Sequence, residues 1–188
     1  MNQQLSMFGV ALLILILITS VILGLAAGPT NPLTWLLLAF LVAIPFIHKK
    51  MSARRYIEWH DNYSVGIKSI DQQHKKLINL INQLQTAVDY STGEEFEREA
   101  LDALVDYTRT HFSYEESLMQ EYGYPGYEPH SAEHQKMIKE VEDILAEYDK
   151  DHEQAILRAL NFLKEWLIDH INGTDKQYSS FLIEKGAE

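Results

Sequence analysis

The chain has 188 residues, with 16 Lys or Arg, 27 Asp or Glu, 8 His and no Cys, and a formal charge of −11. The missing cysteine excludes disulfides, Fe–S clusters and thiol chemistry, and the acidic balance argues against nucleic acid as a partner. Charge is also unevenly placed: residues 1–47 carry no Asp, Glu, Lys, Arg or His, so the other 141 residues hold all of it and suffice for one ordinary domain.

Residues 7–27 form an apolar run rich in Leu, Ile and Val, about the length that spans a hydrocarbon core of roughly 30 Å. Gly28-Pro29-Thr30-Asn31-Pro32 reads as a tight turn. A second apolar run, residues 33–47, is short for a full span, with Trp35 placed for one interface and His48, Lys49 and Lys50 for snorkelling at the other. A cleaved signal peptide fits poorly, because no Lys or Arg precedes the run and the run is too long. A single anchor with a buried second segment is the next reading. A transmembrane helical hairpin over residues 1–48 is favoured. Lys49, Lys50, Arg54 and Arg55 come directly after it, which places the rest of the chain in the cytoplasm at the inner membrane. Packing against neighbouring copies would shelter the short second run and make the hairpin a homo-oligomerisation element.

Residues 49–68 read as an irregular arm with Tyr56, Trp59 and Tyr63 available to pack on the helices beyond it. Residues 69–188 read as an up-down-up-down four-helix bundle, making the fold class all-α. The first helix is expected over about 69–90, with Ser69 as N-cap and Ile70, Leu77, Ile78, Leu80, Ile81, Leu84 and Val88 inward. Ser91-Thr92-Gly93 ends it. The second, about 94–122, turns Phe96, Ala100, Leu104, Tyr107, His111, Leu118 and Met119 inward. After the loop Gly123-Tyr124-Pro125-Gly126-Tyr127, Pro129 suits the first turn of a third helix reaching about Lys150. The fourth, about 153–172, presents Ile156, Leu160, Leu163, Leu167 and His170.

Onto this frame fall five histidines and two carboxylates at ligand spacing: His74, His111 and Glu115, His130 and His134, His170 and Asp175. His111→Glu115 and His130→His134 are i,i+4 pairs, each projecting from one helix face. Imidazole nitrogen with carboxylate oxygen, without thiolate, suits iron, manganese or zinc. Seven ligands exceed one tetrahedral zinc and fit two metals bridged by carboxylates. A lone histidine is usually structural or exposed, which is the reading for His48, His60 and His152. Spacing from His111 selects Glu115 over Glu116.

Trp59, Tyr63-Ser-Val-Gly-Ile67 and Ile70-Asp71-Gln-Gln-His74, then His111-Phe112, Glu115-Glu116, His130, His134, His170 and Asp175, resemble the hemerythrin and bacteriohemerythrin pattern over about residues 56–182, with a membrane segment added. The resemblance selects Asp175 over Asp169. It implies one iron held by His130, His134 and His170, a second by His74 and His111, bridges from Glu115 and Asp175, and an oxo or hydroxo bridge. One iron then has six ligands, and the other keeps a vacancy for a small diatomic. His170→Asp175 is i,i+5, rotated about 140° on an ideal helix, so Asn172-Gly173 is expected to break or widen the helix. Leu77, Phe112, Met119, Trp166 and Leu167 lie within a turn or two of ligands and are expected to be bundle core that also keeps the vacancy dry. Tyr178 is a candidate to pack or hydrogen-bond nearby.

The expected function is reversible O2 binding at a non-heme di-iron centre, stored or delivered at the membrane, with a membrane-bound O2-consuming enzyme as client. Bundle di-iron oxidases use a carboxylate-rich set with two Glu-x-x-His motifs; five neutral imidazoles here favour binding over O–O cleavage, and no further general base or nucleophile stands out. The chain is therefore expected not to be an enzyme. O2 or NO sensing and di-iron oxidase activity are the alternatives. Few residues lie beyond the last predicted helix, so no output module is expected in this chain.

Overall fold

The computed structural model describes residues 3–28, 30–53, 55–90, 93–148 and 150–187, with the side chains of 3–7, 10, 48, 49 and 51–53 left aside. His48, Lys49 and Arg54, singled out above, fall outside the described side chains. The chain divides into two compact units, Met1–Tyr56 and Ile57–Glu188. Among the described residues every regular element is helical.

The first unit is a pair of packed helices, α1 (Gln3–Ala27) and α2 (Pro32–Ala53). Asn31 Oδ1 accepts from Leu33 N at 3.0 Å in the turn between them. The helices meet closely where Gly24 faces Thr34: a Cβ at Gly24 would lie 2.4 Å from Thr34 Oγ1. Thr34 and Val21 are buried there, while Phe8, Leu12, Leu15, Ile22, Leu36 and Phe40 stay open. α2 continues six residues past the expected end of the second apolar run, with Pro45 inside it. Among the described residues no helix is long and apolar enough to cross a membrane, so the transmembrane hairpin expected over residues 1–48 is not borne out.

The second unit begins with an arm. Asn82 pairs with both backbone groups of Ile57, accepting from its N–H at 2.9 Å and donating to its carbonyl at 2.8 Å. Trp59 and Tyr63 pack on the core, Tyr63 closing a 3₁₀ turn, Asp61–Tyr63. Four helices come next: α3 (Lys68–Asp89), α4 (Glu94–Tyr122), α5 (Tyr127–Leu145) and α6 (His152–His170). Each packs on its neighbour in sequence, and α6 returns to α3, which closes the ring of an up-down-up-down bundle. Its core is a continuous apolar cluster including Ile81, Leu84, Leu101, Leu104, Val141, Ile156 and Leu160.

Several boundaries differ from those expected, each for a local reason. Ser69 is not the N-cap of α3; Ile67 is, with no side-chain cap. Asp71 ties down this end instead, accepting from Val65 N at 2.8 Å and Ser64 Oγ at 2.5 Å. Phe96 is exposed rather than inward, and Leu101 is buried in its place. The buried stripe Leu101–Leu104–Thr108–His111–Glu115, continued back one turn, reaches Glu97 rather than Phe96. Ala100, Tyr107 and Leu118 are only partly buried. α4 ends where Gly123 adopts a left-handed conformation, φ 68°, and Tyr124 N donates to Met119 O at 2.8 Å. α5 starts two residues before Pro129 and ends at Leu145, five residues short of Lys150, passing into tight turns. α6 is capped by Asp151, whose carboxylate accepts from Gln154 N at 3.1 Å. The chain does not stop at residue 172: a π-helical turn, Ile171–Asp175, leads into α7 (Lys176–Glu184).

Candidate metal centre

All seven residues with ligand spacing come together at one level of the bundle. Glu115, His130, His134, His170 and Asp175 form one buried group, and His74, His111 and Glu115 form a second that shares Glu115. α3 contributes His74, α4 His111 and Glu115, α5 His130 and His134, and α6 His170. The π turn brings in Asp175. Its i→i+5 hydrogen-bonding period returns the chain to the same face after five residues, which resolves the 140° misfit expected of a regular helix.

The two carboxylates each face both groups. Glu115 Oε2 lies 3.2 Å from His130 Nε2 and 3.3 Å from His134 Nε2. Asp175 turns Oδ1 toward His170 Nε2 at 3.1 Å and Oδ2 toward His74 Nε2 at 3.3 Å. His134 Nε2 and His170 Nε2 approach to 3.0 Å. Both nitrogens of His74 and both oxygens of Asp175 are fully buried without a hydrogen bond, their close neighbours lying out of line for one. Leaving such groups unpaired is costly. Neutral nitrogens and carboxylate oxygens all aimed at one enclosed spot are the donor set of a hard or borderline metal, so the residues present fit a two-metal site.

The electrostatics keep the donors in binding-ready forms. Burial pushes the His111 imidazole down from 6.5 to about 4, with Glu115 and Asp175 pulling back weakly. Burial alone would raise the Glu115 carboxyl, yet His111 and the hydrogen bonds of His130 and His134 hold it well below its ordinary range. Asp175 is likewise held down by His170 and His74 against burial and the Glu115 charge.

A surrounding layer orients the imidazoles. His134 Nδ1 meets Glu116 Oε1 at 2.9 Å, His111 Nδ1 meets Gln73 Oε1 at 3.1 Å, and His170 Nδ1 lies 3.5 Å from Glu133 Oε2. Glu116 is thus no solvated bystander, a role that spacing from His111 alone does not reveal. The π turn also joins this layer, Thr174 Oγ1 donating to Glu133 at 2.9 Å. Tyr178, fully buried, donates its hydroxyl to Glu115 Oε1. Burial and the two carboxylates push that hydroxyl well above 10. Its signal in the sequence is position: three residues beyond Asp175, one turn along the same helix face.

Aromatic rings seal the other side. Phe112 stacks on His134 with ring centres 3.6 Å apart, and Trp166 stacks on His170 at 4.1 Å. Leu77, Phe112, Trp166 and Leu167, with Ile81, Leu104 and Leu163, line an apolar cavity of about 10 Å³, close to the space of one water molecule. Met119 is not among its lining. It is buried in a separate cluster with Ile67, Ile70, Tyr178 and Leu182, because it lies one turn past Glu115 toward the end of α4. His60 is exposed, and His152 pairs with Glu94 at 2.9 Å, away from the site.

Residues 65–182 match the model of the Hemerythrin HHE cation binding domain. The chain is 37% identical to a bacteriohemerythrin of Stenotrophomonas maltophilia over 122 residues, covering 64% of this chain and 78% of that protein. It is 30% identical to a bacteriohemerythrin of Methylococcus capsulatus over 120 residues, covering 64% and 91%. A crystal structure of wild-type hemerythrin superposes with a TM-score of 0.59 at 29% identity, covering 67% of this chain and 97% of that one.

Proposed function

The chain belongs to the hemerythrin family, and from that premise we propose that it binds O2 reversibly at a non-heme di-iron centre. His130, His134 and His170 would hold one iron and His74 and His111 the other, with Glu115 and Asp175 spanning the two. The observation that carries the reading is Asp175: fully buried, it turns one oxygen to the His74 side and the other to the His170 side, and neither is hydrogen-bonded. Bound there, an iron pair would supply an open coordination position for O2 and electrons that it could lend to O2 and recover on release.

The chain's own residues favour binding over turnover. Five neutral imidazoles keep the site less anionic than a carboxylate-rich oxidase set. Tyr178 holds Glu115 in place as a fixed hydrogen-bond donor. Phe112 and Trp166 cover two of the imidazoles, and the apolar cavity beside them, about 10 Å³, has room for little more than one water. Exclusion of water protects reduced metal from oxidation. The test is the absorption spectrum of the iron-loaded, reduced protein. A visible band that appears with O2 and vanishes under vacuum over repeated cycles is expected. Irreversible oxidation accompanied by hydroxylation of an added substrate would overturn the reading.

We further infer that Met1–Tyr56 anchors this activity at the inner membrane, where O2 would be held for an O2-consuming membrane enzyme. The support is the absence of any charged residue in 1–47, the paired helices of 25 and 22 residues, the open apolar side chains along both, and the basic residues 49, 50, 54 and 55 just beyond.

A further inference from the structure

The second layer around the site is electrically lopsided. On the three-histidine side, His134 Nδ1 meets the carboxylate of Glu116 at 2.9 Å, and His170 Nδ1 lies 3.5 Å from Glu133. On the two-histidine side, His111 Nδ1 meets the neutral amide oxygen of Gln73 at 3.1 Å, and His74 Nδ1 has no partner. Of the two carboxylates Glu116 is the effective one: its side chain is 24% exposed against 55% for Glu133, and its contact is the shorter. Water screens it less.

We propose that Glu116 and Gln73 are positioning residues that make the two metal positions unequal, the carboxylate favouring the ferric state at the three-histidine position and the amide leaving the two-histidine position easier to keep ferrous. This rests on the di-iron reading above. With Nε2 bound to metal, Nδ1 carries the proton and donates it outward. Donation to a carboxylate is charge-assisted and makes the imidazole a stronger electron donor. Donation to an amide carbonyl orients the ring equally well and adds no charge. On the di-iron reading, the open position for O2 would lie on the side that the chain leaves neutral. The asymmetry therefore keeps the reactive metal reduced while its partner takes up positive charge readily.

The experiment is redox titration of the full iron-loaded protein, monitored by its absorption, for the native chain, Glu116→Gln and Gln73→Glu. Glu116→Gln keeps an oxygen facing His134 Nδ1, so iron content and unfolding temperature should stay near native while the midpoint potential rises. Each tenfold loss of preference for ferric over ferrous iron reads as about 59 mV in a one-electron couple. Gln73→Glu should shift the potential the opposite way. A Glu116→Gln protein with full iron and an unmoved potential would show a purely structural role and overturn the proposal. If Glu116→Gln fails to load iron, Gln73→Glu decides alone, a lowered potential supporting the proposal and an unchanged one overturning it. A native chain that takes up no iron would overturn the di-iron reading as well, which distinguishes the two failures.

Discussion

Replacing Tyr178 by Phe removes one oxygen atom and isolates what the hydroxyl contributes. The ring is fully buried and touches Tyr124 and His130 at centroid distances of 6.3 and 5.5 Å, contacts that Phe retains. What is lost is the hydrogen bond to Glu115, itself fully buried, which keeps only His130 and His134 within reach. Because the Tyr178 hydroxyl is pushed well above 10, it is a donor across the whole neutral and acidic range. Hydrogen bonds to charged groups are worth about 1.5–3 kcal/mol, and the buried acceptor cannot turn to water for compensation. For a bundle between the small and mid-sized domains used to calibrate melting temperatures, one kcal/mol corresponds to roughly 3–6 °C. The metal-free variant should thus melt about 5–18 °C below native when monitored by far-UV circular dichroism at neutral pH. A melting temperature within a degree of native would show that the hydroxyl does not hold Glu115 in solution, and the assignment of Tyr178 to the site would fall.

Acid should destabilise the metal-free protein through His111. Its folded form resists protonation down to about 4 while the unfolded chain takes the proton near 6.5. Below 6.5 the unfolded state therefore binds more protons, and stability falls as pH drops toward 4, by on the order of 3 kcal/mol for this group. Urea unfolding at several pH values checks it, and an identical slope in His111→Asn would refute the assignment. Asp175→Asn faces both histidine groups, so it should cost both irons, whereas His74→Ala should release mainly one; iron per chain by elemental analysis separates the cases. Phe112→Ala opens the cavity and uncovers His134, with an expected loss of about 3–5 kcal/mol and faster oxidation of the reduced protein in air, while unchanged oxidation would show that the ring does not guard the site. For the anchor, the full chain should sediment with the membrane fraction and stay there in high salt, and recovery in the supernatant would refute the anchoring of residues 1–47.

Legibility in the sequence tracked the range of the interaction. Helical periodicity is local, so the bundle, its loops and the bounds of α4 could be read from residue spacing. The i,i+4 pairs His111→Glu115 and His130→His134 are likewise local, each needing only one helix face. Failures arose where a boundary or a face depends on distant partners. Ser69 is a good cap by type, yet the start of α3 is set by Asp71 reaching back to Val65 and Ser64. Met119 lies close to Glu115 in sequence, but it points to the cluster around Tyr178 and Leu182 rather than to the cavity. Glu116 and Gln73 find their histidines 18 and 38 residues away, on other helices, so no local spacing announces them.

Asp175 illustrates how a local anomaly and a long-range requirement meet. On an α-helix the residue five positions on is rotated about 140° from the first, and a ligand there is wasted. Widening Ile171–Asp175 into a π turn restores the register at the expense of irregular backbone bonding. Asn172 and Gly173 are residues of low helix propensity, which lowers what is lost by leaving the α conformation. Asn172 also spends its side chain on the Ile168 carbonyl at 2.9 Å, satisfying an acceptor near the widened turn. Departures of this kind persist where the surroundings over-determine them, and here the surroundings are His74 on α3, His170 on α6 and Glu133 on α5, which the same turn reaches through Thr174. The irregular turn thus joins three helices of the bundle at the level where the donors converge, and an ideal helix with the same residues would rotate Asp175 about 140° from the face that carries His170, away from the 3.3 Å approach to His74.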